Sequence, residues 1–533
     1  MQALQPSRKE IIGFFMKRGV LLSQEMLLQL QEGELFEELK KQAQSIPHEV
    51  TVLNPAIKAL LQSASTSDYN WQEIDKAKTI TEKTNGHFEK TISVLLDNKP
   101  IPQDIAQNQP NVPIKILYSY NLDAQKREAQ DFVDYFTQRY NALSSILRHR
   151  IELQGAVSIS RLAMKREKES VSIIGMVTDK QVTKNNNHMI TVEDPTGSIN
   201  VMISKNRQDL YDQAKDIVYD EVIGIAGISG DKIVFGTSLY FPDIPALTEL
   251  KKSPDETYAM FLSDLHVGSN YFLEEDFERF LRWINGETGS DEQKRIAEKI
   301  KYIFIIGDLV DGCGVYPEQD KELAIKDIKD QYAECARLLA RIPPDKFLII
   351  CPGNHDAMRV AEPQLPIYHD FAEPLYQLKN ATFVSNPALI NIHSSSTFSG
   401  FDVLMYHGYS FDYYVAEVES IRNKGGYDRA DLIMKFLLQK RHLAPSHSST
   451  LYVPETTHDP HVISRVPDFF ISGHIHKSAA ANYRNVTLIS GSCWQAKTAF
   501  QEKIGHHPEP SRVPIVNLQT RSIKIIKFGN EAA

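Results

Sequence analysis

KYIFIIGDLVDG, residues 301–312, sets the apolar run Tyr302–Ile306 directly against Gly307, Asp308, Asp311 and Gly312. A run with no polar break predicts a strand covered on both faces, as in a parallel sheet. The carboxylates then stand at the end of a buried strand. The same arrangement recurs. YAMFLS (258–263) leads into Asp264-Leu-His266, and KFLIIC (346–351) into Pro352-Gly-Asn354-His355-Asp356. VLMY (403–406) leads into His407-Gly408, and FFIS (469–472) into Gly473-His474-Ile-His476. Helical stretches such as EEDFERFLRWI (274–284) and the segment around Ile325 to Leu339 alternate with these runs, which predicts an α/β domain from Ser253-Pro254 onward. The alternating run PIVNLQTRSIKIIKF (514–528) is expected to add one edge strand.

Five strands thus deliver oxygen and nitrogen groups to one rim. In an extended chain, residues i and i+2 point to the same side, so Asp264 with His266, and His474 with His476, are expected to present pairs of ligands. The adjoining Gly307, Gly353, Gly408 and Gly473 suit sharp turns where backbone passes close to bound groups. Taken singly, an Asp-x-His is as readily a solvated turn, Gly-Asn-His-Asp an Asx turn, and His407 a hydrogen-bonded rim histidine. Their joint occurrence in order, each after a buried-type strand, predicts a two-metal site. Imidazole with carboxylate or amide oxygen and no thiolate favours Mn, Fe or Zn.

Upstream the period changes. VSIIGMVT, HMITVED, SINVMIS, EVIGIAGI and KIVFGTSLYF, between Val171 and Phe241, alternate or run apolar between turn signals, with Asp194-Pro-Thr-Gly197 as one turn. The helical stretch RQDLYDQAK separates the third from the fourth, which is the layout of an OB-fold β-barrel. Such barrels bind single-stranded nucleic acid or dock proteins. Both readings stay open, since only Lys180, Lys184, Lys205 and Arg207 supply obvious positive charge. Before the barrel, Asp123 to Arg150 carries Phe132, Tyr135, Phe136, Tyr140, Leu143 and Leu147 at helical steps, the mark of an amphipathic packing helix. The expected division is a small N-terminal helical module (1–48), a flexible linker (49–112), an OB-fold domain with its preceding helix (113–255) and an α/β domain (256–533).

The 533 residues exclude a single compact core. At 42% hydrophobic and 24% charged the composition is that of a globular chain, with neither an apolar run long enough for a membrane span nor a secretory start. Four cysteines without a C-x-x-C pair point to reduced, packed thiols. The net charge of −9 excludes bulk attraction to nucleic acid, so contact with DNA needs local patches, cations or a partner.

The ordered motifs D-x-H, G-D-x-x-D, G-N-H-D, H and G-H-x-H resemble the calcineurin-like metallophosphoesterases over roughly residues 256–500. That resemblance implies one metal on Asp264, His266, Asp308 and His476 and a second on Asp308, Asn354, His407 and His474. Asp308 bridges them, His355 is the catalytic general acid, and Asp311 and Asp356 stand behind the ligands. The implied reaction is metal-assisted phosphodiester hydrolysis. An OB-fold ahead of such a domain, with all seven ligands kept, is similar to the small subunits of archaeal DNA polymerase D. This implies a proofreading 3′→5′ exonuclease preferring Mn²⁺, with Fe²⁺ or Zn²⁺ as alternatives, in an archaeal cytoplasm. The implied partners are a large catalytic polymerase subunit, the single-stranded or frayed 3′ end of a primer and a sliding clamp, although no clamp-binding peptide is legible. No membrane partner is implied. The alternatives are a non-catalytic polymerase scaffold and a phosphatase or phosphodiesterase acting on a substrate other than DNA.

Several further residues invite a role. Tyr409, Tyr413, Tyr414 and Trp494 lie near ligand motifs and are read as packing residues ahead of base-stacking ones. His506-His507 and His458 to His461 are expected to be solvated, as are Arg161, Lys165, Arg166 and Lys168.

Overall fold

A computed structural model of the protein describes residues 21–22, 52–53, 114–122, 124–163, 168–498, 501–502 and 505–529. Of the helical module and linker expected over 1–112, it describes only Leu21–Leu22 and Val52–Leu53, which pair in parallel. The remainder of that expected module and linker lies outside the described residues, as do Lys165 and Arg166. The two short strands belong to one compact unit, and the barrel and α/β layers together form another.

The five barrel strands are Ser170–Val182, His188–Asp194, Gly197–Ile203, Val222–Gly230 and Ile233–Tyr240. The first pairs antiparallel with both the second and the fourth, and the third closes the barrel in parallel against the fifth. This is the OB-type order. Alternate side chains turn inward, so Ile173, Val177, Ile190, Val192, Val201, Ile225 and Val234 fill the interior with no exposed surface. The helix Gln208–Lys215 seats Leu210 and Ala214 against this core. The helix Ala129–Arg148 starts at a capping box between Glu128 and Asp131 and buries Tyr135, Arg139, Leu143, Ser144 and Leu147.

Two six-stranded sheets build the α/β part. In the first, Ala381–Phe383, Phe347–Cys351, Ile300–Ile306 and Tyr258–Leu262 run parallel, followed by the antiparallel Arg512–Asn517 and Ile523–Lys527. The expected single edge strand is therefore two, because Leu518–Ser522 turns the chain back on itself. The second sheet orders Ala479–Tyr483, Val486–Ser490, Phe469–Ser472, Phe401–Met405, Ala388–Ile392 and Ile114–Ser119. That last strand, which the expected division includes in the OB-fold domain (113–255), instead pairs antiparallel with Ala388–Ile392 and completes this sheet.

The sheets face each other through Phe261, Phe304, Ile306, Ile349, Val403, Met405, Phe469 and Ile489. Their outer faces carry helices. Glu274–Ile284 and Ile328–Leu339 pack on the first sheet, and Phe411–Glu417 and Ala430–Lys440 on the second. Burying each such large side chain is worth about 1.5–3 kcal/mol, so a helix–sheet–sheet–helix sandwich accounts for strands that are apolar on both faces. The four cysteines are free thiols, with Cys313 alone exposed. No helix among the described residues is long and apolar enough to cross a membrane.

Candidate metal centre

The parallel strands end at one rim, and there the backbone departs from extended geometry. Asp264, His266, Asp308, His474 and His476 have φ of +50°, +52°, +51°, +68° and +57°. The expectation that i and i+2 share a side because the chain is extended is corrected. Strands stop at Leu262 and Ser472, and both members of each pair adopt the left-handed conformation. That conformation costs roughly 1–2 kcal/mol per residue for a side chain other than glycine.

Main-chain bonds between loops hold it. Asp264 N–H donates to Gly307 O at 3.0 Å, His266 N–H to Asp308 O at 3.1 Å, and Gly473 N–H to His407 O at 2.9 Å. Carboxylates contribute as well. Asp264 accepts from His474 N–H at 3.0 Å, and Asp308 Oδ1 from His355 N–H at 2.8 Å. Gly353 has to be glycine, since a Cβ there would lie 2.2 Å from Asp308 Oδ1.

The predicted ligands fall into two clusters, and a further group, His266, Asp311 and His355, shares His266 with the first. In the first, Asp264, His266 and His476 each offer a ligand atom within 4.8 Å of the others. His476 Nε2 lies 3.4 Å from Asp264 Oδ1 and 3.1 Å from His266 Nε2. Asp308, His407 and His474 form the second. In it, His407 Nε2 lies 3.3 Å from Asp308 Oδ2 and 3.1 Å from Asn354 Oδ1. Asp308 Oδ2 is also 3.9 Å from His266 Nε2, so one carboxylate faces both clusters. All seven sequence-predicted ligands therefore converge.

The donor set fits cations. His407 Nδ1 faces the carbonyl of Ile306 at 2.9 Å and must donate its proton there, which leaves the Nε2 lone pair aimed at two oxygen acceptors. His266 Nδ1 likewise faces Asp311 Oδ1 at 3.1 Å, leaving its Nε2 toward that of His476. At His407 a lone pair thus meets oxygen acceptors with no donor between them, which calls for a proton or a metal ion there. The electrostatics agree. Burial alone would depress His407, but Asp308 raises it to about 10. Burial opposes ionisation of Asp308, yet the surrounding histidines, His407 foremost, hold it well below the usual carboxylate range. These are buried His and Asp groups of the kind found in binuclear phosphoesterase sites.

His355, the sequence-predicted acid, is half-buried beside the first cluster. Its Nδ1 donates to Asp311 O at 2.7 Å, so Nε2 is the atom left for chemistry. Burial holds it below the ordinary histidine value, against the upward pull of Asp308. Asp311 accepts from His266, from Gln495 Nε2 at 2.8 Å and from Gln319 Nε2 at 3.1 Å. Asp356 accepts from Gly353 N–H at 2.8 Å and Tyr332 OH at 3.0 Å, and burial followed by repulsion from Asp308 pushes it up to about 7.

Three supporting side chains escape sequence reading. Asp412 Oδ2 lies 3.0 Å from His474 Nε2, the Gln501 amide lies 2.9 Å from His476 Nδ1, and Gln495 reaches Asp311. Each is a single polar residue outside the ligand motifs, so no spacing signals it. Of the residues read as packing, Trp494 and Tyr414 are fully buried, Trp494 against Phe277 and Phe280. Tyr409 lies at the site, its ring 5.8 Å from that of His474. The expectation of solvation is corrected at two histidines. His506 is buried on Tyr427, with ring centroids 3.9 Å apart, and His461 is enclosed between Asp459 and Glu362, because both loops fold inward. His458, His507, Arg161 and Lys168 are exposed as expected.

The calcineurin-like phosphoesterase family pattern matches residues 259–478, which contain every one of these ligands. Over 402 residues, 75% of this chain and 80% of the other, the sequence is 40% identical to the DNA polymerase II small subunit of Methanothermobacter thermautotrophicus. It is 36% identical over 431 residues, 80% of this chain and 68% of the other, to that of Pyrococcus furiosus. The corresponding protein of Methanocaldococcus jannaschii matches at 37% over 393 residues, 73% of this chain and 64% of the other. A rim of seven convergent ligands, a five-stranded barrel before it and identity of this extent over most of both chains have one reading: the chain belongs to the family of the DNA polymerase II small subunits, the polymerase D family that its motifs resemble.

Proposed function

We propose that the protein is a two-metal 3′→5′ DNA exonuclease that proofreads for a large catalytic polymerase subunit. The observation that carries this is Asp308, whose carboxylate faces both His-containing clusters at once. Asp264, His266, Asp308 and His476 would hold one divalent ion, and Asp308, Asn354, His407 and His474 the other, Mn²⁺ being our choice for an imidazole and oxygen set. Bound there, such a pair supplies Lewis acidity, polarising the scissile phosphate and activating water near neutral pH.

The protein's own groups do the rest. Main-chain ties between the loops fix the ligands before substrate arrives, which lowers the reorganisation needed in the transition state. Asp311 orients His266, and Asp412 orients His474. His355, with Nδ1 bonded to the Asp311 carbonyl, gives a proton from Nε2 to the leaving 3′-oxygen. Burial holds His355 below the ordinary histidine value, so its role as donor calls for an anion beside it, and the bound phosphodiester would supply one.

The name small subunit, carried by the relatives, supports a large-subunit partner for this chain, and the net charge of −9 fits a partner that supplies phosphate contacts. A mismatched primer end unpairs at lower cost, so its single strand reaches the metals first. We assign hydrolysis to 256–533 together with the strand Ile114–Ser119 that completes its second sheet, the rest of 113–255 to the OB-fold division, and clamp contact to the assembled polymerase. The test is a time course of 5′-labelled single-stranded DNA with the purified chain and Mn²⁺, alone and with the large subunit, beside Asp308→Ala. Products shortening from the 3′ end, absent in the variant, are expected. No shortening in either setting would move the reading to a polymerase scaffold.

A further inference from the structure

Arg139 is a fully buried guanidinium on the helix Ala129–Arg148, outside the phosphoesterase match. Its Nε donates to Asp459 Oδ2 at 2.7 Å and its Nη1 to Pro445 O at 2.6 Å. Phe136 and Tyr452 lie against it, 4.8 and 5.3 Å from ring centroid to guanidinium carbon. Asp459 also accepts from Tyr135 OH at 2.9 Å, His442 Nε2 at 2.7 Å and His461 N–H at 2.9 Å.

The network continues inward. His461 Nε2 lies 3.3 Å from Glu362 Oε2, which accepts from Tyr406 OH at 3.1 Å. Asn386 Nδ2 donates to Gln364 Oε1 at 2.8 Å and lies 3.4 Å from Glu362 Oε1. Asn386 Oδ1 then accepts the main-chain N–H of His407 at 2.9 Å. Gln364 Nε2 donates to Gly353 O at 3.2 Å, next to Asn354. Backbone bonds run alongside. Glu362 N–H donates to Leu451 O, and Gln364 and Asn386 exchange a pair at 2.7 and 3.0 Å.

Each residue of this path is at most 6% exposed. Buried polar groups cost stability unless every partner is present, so the path is rigid only when complete. It ends on the Asn354 and His407 loops. The other cluster is steadied separately, by Asp311, Gln495 and Gln501.

We propose that Arg139 is a positioning residue for one half of the metal centre, acting through Asp459, His461, Glu362 and Asn386 to fix the main chain of His407 and, through Gln364, that of Asn354. The inference rests on the two-metal reading above. It gives the helix ahead of the barrel a part in hydrolysis that packing alone does not.

The test is Mn²⁺ binding to the full chain, followed by free-ion electron paramagnetic resonance and by the spin-coupled signal of a manganese pair. Wild type, Arg139→Met and Glu362→Gln are compared, the last keeping side-chain shape while setting an amide NH2 against the donors Asn386 Nδ2 or Tyr406 OH, so that a folded variant with a broken path is in hand should Arg139→Met not fold. Supports behind a ligand typically contribute 10- to 100-fold in metal affinity. The expected result is therefore one Mn²⁺ bound as in wild type, a second weakened about tenfold or more, and loss of the coupled signal at sub-saturating Mn²⁺. Unchanged affinity at both sites in a folded variant, or equal weakening of both, overturns the proposal. A wild-type chain that binds no Mn²⁺ pair overturns the two-metal reading and this inference with it.

Discussion

At the scale of residues, Asp308 and His355 stand beside each other and do different work. Asp308 faces both clusters, so Asp308→Ala should abolish DNA shortening and lower the number of Mn²⁺ ions bound, which equilibrium dialysis reads directly. Persistent full activity in that variant would sink the shared-ligand assignment. His355 meets the clusters through its main-chain N–H on Asp308, its Nδ1 on the Asp311 carbonyl and its ring, edge-on to that of His266 with centroids 4.7 Å apart. His355→Ala should therefore keep both metals and slow turnover by about 10²- to 10⁴-fold, the usual range for a general acid. A variant that also loses metal would make His355 a ligand instead. Gly353→Ala drives a Cβ to 2.2 Å from Asp308 Oδ1 and 2.5 Å from Asp308 N–H nitrogen. Its effect on hydrolysis should approach that of losing Asp308, at a far smaller change in side-chain volume.

At the scale of elements, the segment after the helix Ala430–Lys440 sets an acid sensitivity. Ala444 N–H donates to His442 Nδ1 at 3.0 Å, so His442 is neutral and gives its Nε2 proton to Asp459. Burial, helped by the charge of Arg139, lowers it from 6.5 to about 3. A folded-state value below the unfolded one means the fold favours the unprotonated ring. Its contribution is complete above about pH 6.5 and lost as pH falls toward 3, with a slope of up to about 1.4 kcal/mol per pH unit. Urea midpoints measured from pH 7 down to 4 should fall less steeply in His442→Gln than in wild type. Equal slopes would exclude His442 as the source.

The same scale shows what could be read from the sequence. Glu274–Ile284 was legible to the residue because its apolar positions recur at helical spacing, and the ligand motifs were legible because each is a short local string. The strand Ile114–Ser119 was not, since its partner lies far along the chain and nothing in KILYS names it. Arg139 was hidden for a related reason. It falls four residues after Tyr135 on the aromatic face, where a charge in an apolar stripe was the one available sign. The left-handed turns at Asp264 and His474 were missed because i and i+2 patterning is silent about φ.

At the scale of the whole molecule, barrel and sandwich share a buried ion pair. Glu221, at the head of a barrel strand, faces Lys440 Nζ at 2.7 Å with both side chains at most 3% exposed. Glu221→Ala would strand a buried ammonium and remove the acceptor of Val218 N–H. A loss of about 3–5 kcal/mol in urea unfolding is expected, with most of it restored when Glu221→Met is combined with Lys440→Met. An unaltered midpoint in the single variant would show that the two layers do not depend on this pair.

The edge strand Ile114–Ser119 also has a temporal meaning. It leaves the ribosome about 270 residues before Ala388–Ile392, the strand it pairs with. At roughly 5–20 residues per second it waits on the order of 14 to 54 s with its hydrogen-bonding edge uncovered, while the whole barrel is synthesised in between. The barrel is thus bracketed by pieces of one sheet, and that sheet closes only late in synthesis.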